Sequence, residues 1–182
     1  MLTREEQREL LAIARDAIAH ALRHEPAATG AGSGSLGLPG GAFVTLRRDR
    51  ELRGCIGYIE SALPLAQVVA EVAVKAACSD PRFPPVTIGD LDGLTVEVSV
   101  LSPLHRVVDV NEVRIGEHGL LLEVGWNRGL LLPQVAVEYG WDREQFLEHT
   151  ARKAGLPPRA WEDPHSKLYI FSAEVFDEDC VR

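Results

Sequence analysis

Cysteine is scarce in this chain, and its few copies are poorly placed to act together. There are three, Cys55, Cys78 and Cys180, odd in number and far apart. That excludes a full disulfide framework and any Cys-x-x-Cys metal site, and it fits a reducing, cytoplasmic setting. No apolar stretch approaches the ~20 residues needed to cross a bilayer. The opening Met-Leu-Thr-Arg-Glu-Glu is charged and helical in character, unlike a secretion signal. Basic runs are missing as well. With a net charge of −8 and acidic residues scattered throughout, the chain lacks the phosphate-neutralising surface most nucleic-acid binders need. Also absent are a phosphate loop, a Gly-x-Ser-x-Gly elbow, a dinucleotide Gly-x-Gly-x-x-Gly after a strand, and a histidine pair at metal-ligand spacing. Neither a metal nor a cofactor is expected.

What is present is globular composition, 46% hydrophobic and 25% charged over 182 residues, enough for one domain that needs no staples. Thr3 with Glu6 makes a capping-box pattern, and Leu10, Leu11, Ala14, Ala17, Ile18, Ala21 and Leu22 recur at helical spacing, so a helix is predicted over 3–23. Residues 26–41 carry six glycines and two prolines, a flexible connection whose sharper reading is a lid over a site. Two strands follow, 42–48 and 52–59, joined by a tight turn at Asp49-Arg50-Glu51. Pro64 opens a helix to Cys78, and Asp80-Pro81-Arg82-Phe83-Pro84-Pro85 cannot continue it. Leu94 to Leu101 alternates cleanly as a strand, and Arg114 starts another short one. A second hairpin, 120–124 with 129–132, leads into a helix from Pro133 to Tyr139. A helix from Asp142 to Ala154 and a last strand, 168–176, complete the chain. The hairpin-then-helix order thus occurs twice, and Leu63-Pro64-Leu65-Ala66-Gln67-Val68 faintly echoes Leu132-Pro133-Gln134-Val135, the pattern of an internal duplication. Strands and helices without strict alternation indicate an α+β class.

The segment Leu52-Arg53-Gly54-Cys55-Ile56-Gly57 stands out. A period of two places Arg53, Cys55 and Gly57 on one side of the strand. Phe43, Thr45 and Arg47 share a face of the preceding strand, as do Thr95, Glu97 and Ser99 of the later one. A three-residue turn sets Thr45 opposite Cys55 and Arg47 opposite Arg53, whereas a two-residue turn shifts that register and separates them. Facing arginines would need an anion such as Glu97 or a bound ligand between them. Glycine inside a strand allows close approach of a ligand or of another backbone, which draws attention to Gly54 and Gly57. Cys55 is the candidate nucleophile, with Arg53 placed to stabilise its thiolate; the bland alternative is a small residue in a packed strand. A nucleophilic thiol needs a base. His118, entering the second hairpin, is the histidine best placed for it among His105, His118, His149 and His165.

Several blocks lie in one order from residue 41 to 176. They are Gly41-Ala42-Phe43-Val44-Thr45-Leu46, Leu52 to Gly57, Asp80 to Pro85, Glu97-Val98-Ser99-Val100-Leu101-Ser102-Pro103, His118-Gly119-Leu120, Gly129 to Val135, Arg152-Lys153-Ala154-Gly155-Leu156, and Trp161. Together they resemble the signature segments of the AMMECR domain family. The resemblance implies a single compact α+β domain (residues 1–182) with a helix at 1–25, a glycine-rich loop at 26–41 and a core at 42–176. It implies a barrel-like, bent, mostly antiparallel sheet built from two related halves. It also implies association with a Memo-like protein and a radical SAM protein, as in the AmmeMemoRadiSam system, and marks Arg-Gly-Cys-Ile-Gly as the suspected site without supplying a reaction. Two departures matter. Thr150-Ala151 stands where many relatives carry a cysteine, and His105 where relatives have another residue.

The expectation is an enzyme or enzyme subunit of unestablished activity, acting on a small molecule or a modified macromolecule. Cys55, Arg53, Glu97 and His118 would be the catalytic set, with Gly54, Gly57, Thr45 and Arg82 as ligand contacts. The alternative is a non-catalytic ligand-binding or adaptor module for a Memo-like or radical SAM partner, in which the two glycines serve close approach. An RNA-directed role would require a basic patch made from Arg47, Arg48, Arg50 and Arg53.

Overall fold

Thr3 begins the first helix as its spacing to Glu6 predicts. In the computed structural model, which describes residues 1–26 and 34–181, the Thr3 hydroxyl accepts the Glu6 amide at 3.2 Å and the Glu6 carboxylate accepts the Thr3 amide at 2.7 Å. Helix α1 (Arg4–Leu22) buries Leu10, Leu11, Ala14, Ala17 and Ile18. The glycine-rich connection is only partly described, and residues 27–33 lie outside the described residues. Its second half is not loose. Gly34–Gly37 forms one short turn of 3₁₀ helix, Leu36 is fully buried, and the Leu38 carbonyl accepts the Leu65 amide at 2.9 Å. Burying one leucine is enough to dock an otherwise glycine-rich segment.

Strands β1 (Gly41–Arg48) and β2 (Glu51–Tyr58) form the first hairpin. Its turn has two residues, Asp49 and Arg50, with φ of 51° and 68°. Positive φ at both central positions is the turn whose twist matches the flanking strands, but it costs a side-chain-bearing residue such as arginine about 1 kcal/mol. Arg50→Gly is therefore expected to stabilise the protein by about 0.5 kcal/mol after the entropy cost of glycine, readable as a rise of roughly 1–2 °C in thermal midpoint. A fall in the midpoint would contradict this account of the turn.

Helix α2 (Leu65–Cys78) is apolar over most of its circumference because it lies between α1 and the sheet. Strand β3 (Leu94–Leu101) pairs with β1, and the sheet order is β2-β1-β3-β8, where β8 is Ala173–Asp177. Ala42, Val44, Leu46, Val96 and Val98 point into this core with α1 and α2. The second sheet has the order β4-β7-β5-β6, built from β4 (His105–Val107), β5 (Gly119–Val124), β6 (Asn127–Leu131) and β7 (Lys167–Phe171). Its own core includes Leu120, Leu122, Phe146, Leu147, Ala151 and Ile170, with helices α3 (Pro133–Glu138) and α4 (Arg143–Lys153).

The chain thus divides into two compact units, Met1–Leu101 with Glu174–Arg182, and Ser102–Ala173. The α+β class holds, but among the described residues the barrel-like sheet gives way to two open four-stranded sheets, each with two edges. Two local expectations also change. The segment at Arg114 is a turn, its carbonyl accepting the amides of Glu117 and His118 at 3.3 and 3.0 Å. The last strand breaks at Ser172 into β7 and β8, which belong to different sheets. At the break Ser172 exchanges two hydrogen bonds with Ser102, one of them to the Ser102 hydroxyl, both at 2.9 Å. A side chain there takes the place of a ladder bond, which alternation cannot reveal.

The two related halves are visible as a repeated topology. Each unit has a hairpin, then helix, then a strand antiparallel to the first hairpin strand on its far side. One glycine anchors each repeat. A Cβ on Gly54 would lie 2.1 Å from the Ala76 carbonyl oxygen of α2, and one on Gly129 would lie 2.4 Å from the Ala154 nitrogen at the end of α4. Both glycines follow an arginine, Arg53 and Arg128, and both let a helix backbone press onto an edge strand.

No helix among the described residues is long and apolar enough to cross a membrane.

Candidate active site

The outward face of the first sheet carries two cross-strand rows. Register pairs Thr45 with both Cys55 and Glu97, and pairs Phe43 with both Gly57 and Ser99. The expectation that Thr45 faces Cys55 only across a three-residue turn is overturned in its reasoning. The turn has two residues, and a bulge between Leu46 and Arg47 restores the pairing. Arg47 consequently faces Leu52, and Arg53 is the inserted residue. The insertion takes Arg53 out of the alternation, so the predicted opposition of two arginines does not occur.

Within the first row the Thr45 hydroxyl donates to the Cys55 sulfur at 3.4 Å. Thr45 is buried and Cys55 half-buried. Glu97 is mostly buried and meets the Arg47 guanidinium at 3.8 Å. Arg48 likewise pairs with Asp90 at 2.6 Å, so two arginines of the supposed basic patch are matched by acids.

Asp80 is the residue that sequence reasoning missed. Its side chain is only 1% exposed. The carboxylate accepts the Cys55 amide at 2.9 Å, the Arg82 amide at 3.1 Å, and the Arg82 guanidinium at 2.9 and 2.7 Å. Arg82 in turn donates to the Cys55 carbonyl at 3.1 Å. Because β2 is an edge strand, its outward N–H and C=O at Cys55 would otherwise be open to water or another chain. Asp80 and Arg82 imitate a neighbouring strand at that one residue and hold it. The available signal was an acid before Pro81-Arg82 just past a helix end, in a stretch that periodicity reads as helix-breaking and that the family resemblance marks only as a block.

The electrostatics follow from these contacts. The Arg82 guanidinium, together with the Cys55 and Arg82 amides, holds Asp80 well below the usual carboxylate range despite its burial. Arg82 is pushed up, mainly by Asp80 and to a lesser degree by Cys55. The cation beside the thiol is therefore Arg82. Arg53, which the sequence assigned to that task, donates to the Pro84 carbonyl at 3.3 Å instead. Burial pushes the Cys78 thiol up, and the Asp177 carboxylate pushes up that of Cys180.

The remaining predicted residues have structural partners. Gly54 serves α2, as described above. A Cβ on Gly57 would meet the Phe43 ring at 2.2 Å, so Gly57 is the floor on which that ring lies. His118 belongs to the second unit, where its Nδ1 accepts the Arg114 amide at 3.2 Å. His149 stacks on Trp141 with ring centroids 3.8 Å apart. His105 sits exposed, 4.0 Å from Glu112.

The repeat supplies an internal comparison. Superposing the pairing at Gly54 on that at Gly129 makes Leu130–Leu121–Tyr169 the counterpart of Cys55–Thr45–Glu97, and Phe171 the counterpart of Ser99. The same frame fills its row with two leucines and a tyrosine in one unit and with a thiol, a hydroxyl and a carboxylate in the other. The profile of the AMMECR1 family matches residues 11–176. The chain belongs to the AMMECR1 family. Within it, a protein from Methanothermobacter thermautotrophicus is 47% identical over 98% of this chain and 97% of its own length. Protein MJ0810 of Methanocaldococcus jannaschii is 49% identical over 76% of this chain and 73% of its own. The crystal structure of the uncharacterized protein PH0010 from Pyrococcus horikoshii, 42% identical, is similar with a TM-score of 0.84 over 95% of this chain and 91% of that one.

Proposed function

We propose that this AMMECR1-family protein is an enzyme with a thiol-centred site on the outward face of the first sheet. It would work alone or as a subunit beside the Memo-like and radical SAM partners that the resemblance implies. Cys55 is the nucleophile or redox thiol, Thr45 its hydrogen-bond donor, and Arg82 the cation beside it. Glu97 is the proton acceptor one strand further on. The observation that carries this reading is the polar row Cys55–Thr45–Glu97 occupying a position that the second unit fills with Leu130–Leu121–Tyr169. The adaptor alternative drew on Gly54 and Gly57 for close approach of a partner, and those positions are occupied by α2 and by Phe43.

Timed labelling with iodoacetamide at neutral pH, read at each cysteine by mass spectrometry, tests the proposal. Cys55 is expected to react roughly tenfold faster than Cys78 or Cys180. Exposure alone predicts the reverse, since Cys180 is exposed and Cys55 is not. Equal rates at all three sites, or Cys180 leading, would sink it.

A further inference from the structure

The backbone donors around the Cys55 sulfur are already committed. Its own amide donates to Asp80 at 2.9 Å, and its carbonyl accepts from Arg82. With both groups of Cys55 turned to the sheet edge, Thr45 and Cys55 form a non-hydrogen-bonded pair. The amides of Gly54 and Ile56 then turn inward, opposite Leu46 and Val44. An acyl-transfer nucleophile needs donors about 2.7–3.1 Å from the oxygen that gains charge, most often amides next to the nucleophile. The amides of Cys55 and its two neighbours are not free for that role. What stands beside the sulfur is a hydroxyl, Thr45, and a cation, Arg82. Those groups suit a reaction in which negative charge passes from one sulfur to another and no oxyanion forms.

A second observation points to a bound molecule on the same face. The Ser99 hydroxyl is buried, with Ser99 only 1% exposed, and it has no hydrogen-bond partner among the described residues. Leaving a buried hydroxyl unpaired is costly, and native structures rarely do so without a reason. Ser99 lies two residues along β3 from Glu97, so both side chains leave the sheet on one side. Its counterpart in the second unit is the buried ring of Phe171. The first unit thus keeps a small hydroxyl where the repeat packs an aromatic.

We propose that Cys55 undergoes thiol–disulfide exchange with a small anionic disulfide, and that Ser99 donates to one of that molecule's carbonyl or carboxylate oxygens. This rests on the thiol-centred reading above. The thiol proton leaves to a base, and the Cys55 thiolate attacks one sulfur of the disulfide. The sulfur–sulfur bond of the substrate breaks, and its electron pair departs on the other half as a thiolate, which takes up a proton. Cys55 is oxidised to the mixed disulfide as the departing half is reduced, and a second thiol of the same class reverses the step. Arg82, whose side chain is about half exposed, attracts an anionic substrate.

The full chain is treated separately with oxidised glutathione, with the uncharged bis(2-hydroxyethyl) disulfide, and with p-nitrophenyl acetate. Cys55 is expected to form the glutathione adduct at least roughly fivefold faster than Cys180, and to prefer glutathione over the neutral disulfide. Arg82→Lys should retain that preference and Arg82→Gln should lose it, while Ser99→Ala should slow only the glutathione reaction. Thermal unfolding checks that each variant is folded. A burst of p-nitrophenol that needs Cys55, with glutathione adducts no faster at Cys55 than at Cys180, would overturn the proposal in favour of acyl transfer. If Cys55 leads with iodoacetamide and not with oxidised glutathione, exchange fails while the thiol-centred reading stands. If it leads with neither, both fall.

Discussion

Gly54→Val is expected to leave the first unit unfolded under conditions where the parent chain is stable. Even Gly54→Ala should cost about 3 kcal/mol. A Cβ there would stand 2.1 Å from the Ala76 carbonyl oxygen and 3.0 Å from its carbon. Both are backbone atoms in the last turns of α2, so no side chain can swing aside. Relief requires α2 to lift from the sheet, and α2 carries Val68, Val69, Val72, Ala73 and Ala76, all buried. Lifting a helix that packs on both faces exposes apolar surface along its length, which is why one methyl group has so large an effect. Gly125→Ala is the control. Gly125 has φ of +60° with nothing within 4 Å of an added Cβ, so only the strain of about 1 kcal/mol applies. Urea denaturation of the three proteins distinguishes these costs. A Gly54→Ala variant as stable as the parent would mean that α2 does not press on β2 as described.

Asp80→Asn should cost about 3 kcal/mol, or roughly 9 °C in thermal midpoint for a chain of this length. Asparagine keeps the shape but turns an NH₂ toward at least one of the donors that now meet the carboxylate, leaving buried partners unpaired. Arg82→Ala should cost less, because the Arg82 side chain is 54% exposed and water can replace much of its contact. The effect also has a pH signature. The folded state holds Asp80 below the ordinary carboxylate value, chiefly through Arg82. A group depressed in this way stabilises the fold fully above its unfolded value near 3.9, and the contribution is lost as pH falls through the folded one. The stability gap between parent and Asp80→Asn should therefore be flat above about pH 5 and shrink steadily below about pH 4. A gap independent of pH down to about pH 2 would show that Asp80 is not held ionised by these partners.

Asp80 also illustrates how much of the site could be read in advance. Cys55, Thr45 and Glu97 were reachable because strand alternation alone puts each on the polar side of its own strand, whatever lies around it. Arg53 was assigned beside the thiol by the same arithmetic. It failed because a single inserted residue breaks alternation without leaving a mark in the residue types. Arg82 and Asp80 reach Cys55 across about 25 positions of sequence, through backbone hydrogen bonds at a sheet edge. No local pattern encodes such a contact. The two strand glycines were noticed for the right physical reason, close approach, yet what approaches them is α2 in one case and Phe43 in the other.

The same division holds for the whole chain. Local chemistry in the sequence was sufficient for α1 with its Thr3–Glu6 cap, for both hairpins, for the proline-limited ends of the helices and for the α+β class. Capping, turn chemistry and hydrophobic period act within a few residues. The sequence also carried, in its repeated hairpin-then-helix order, the hint of two related halves. Only the tertiary structure decided that there are two open sheets, that the last strand is divided between them at Ser172, and that Arg82 is the cation at Cys55. Those outcomes depend on which edges pair, and edge pairing is settled by packing and hydrogen bonds between residues far apart in the chain.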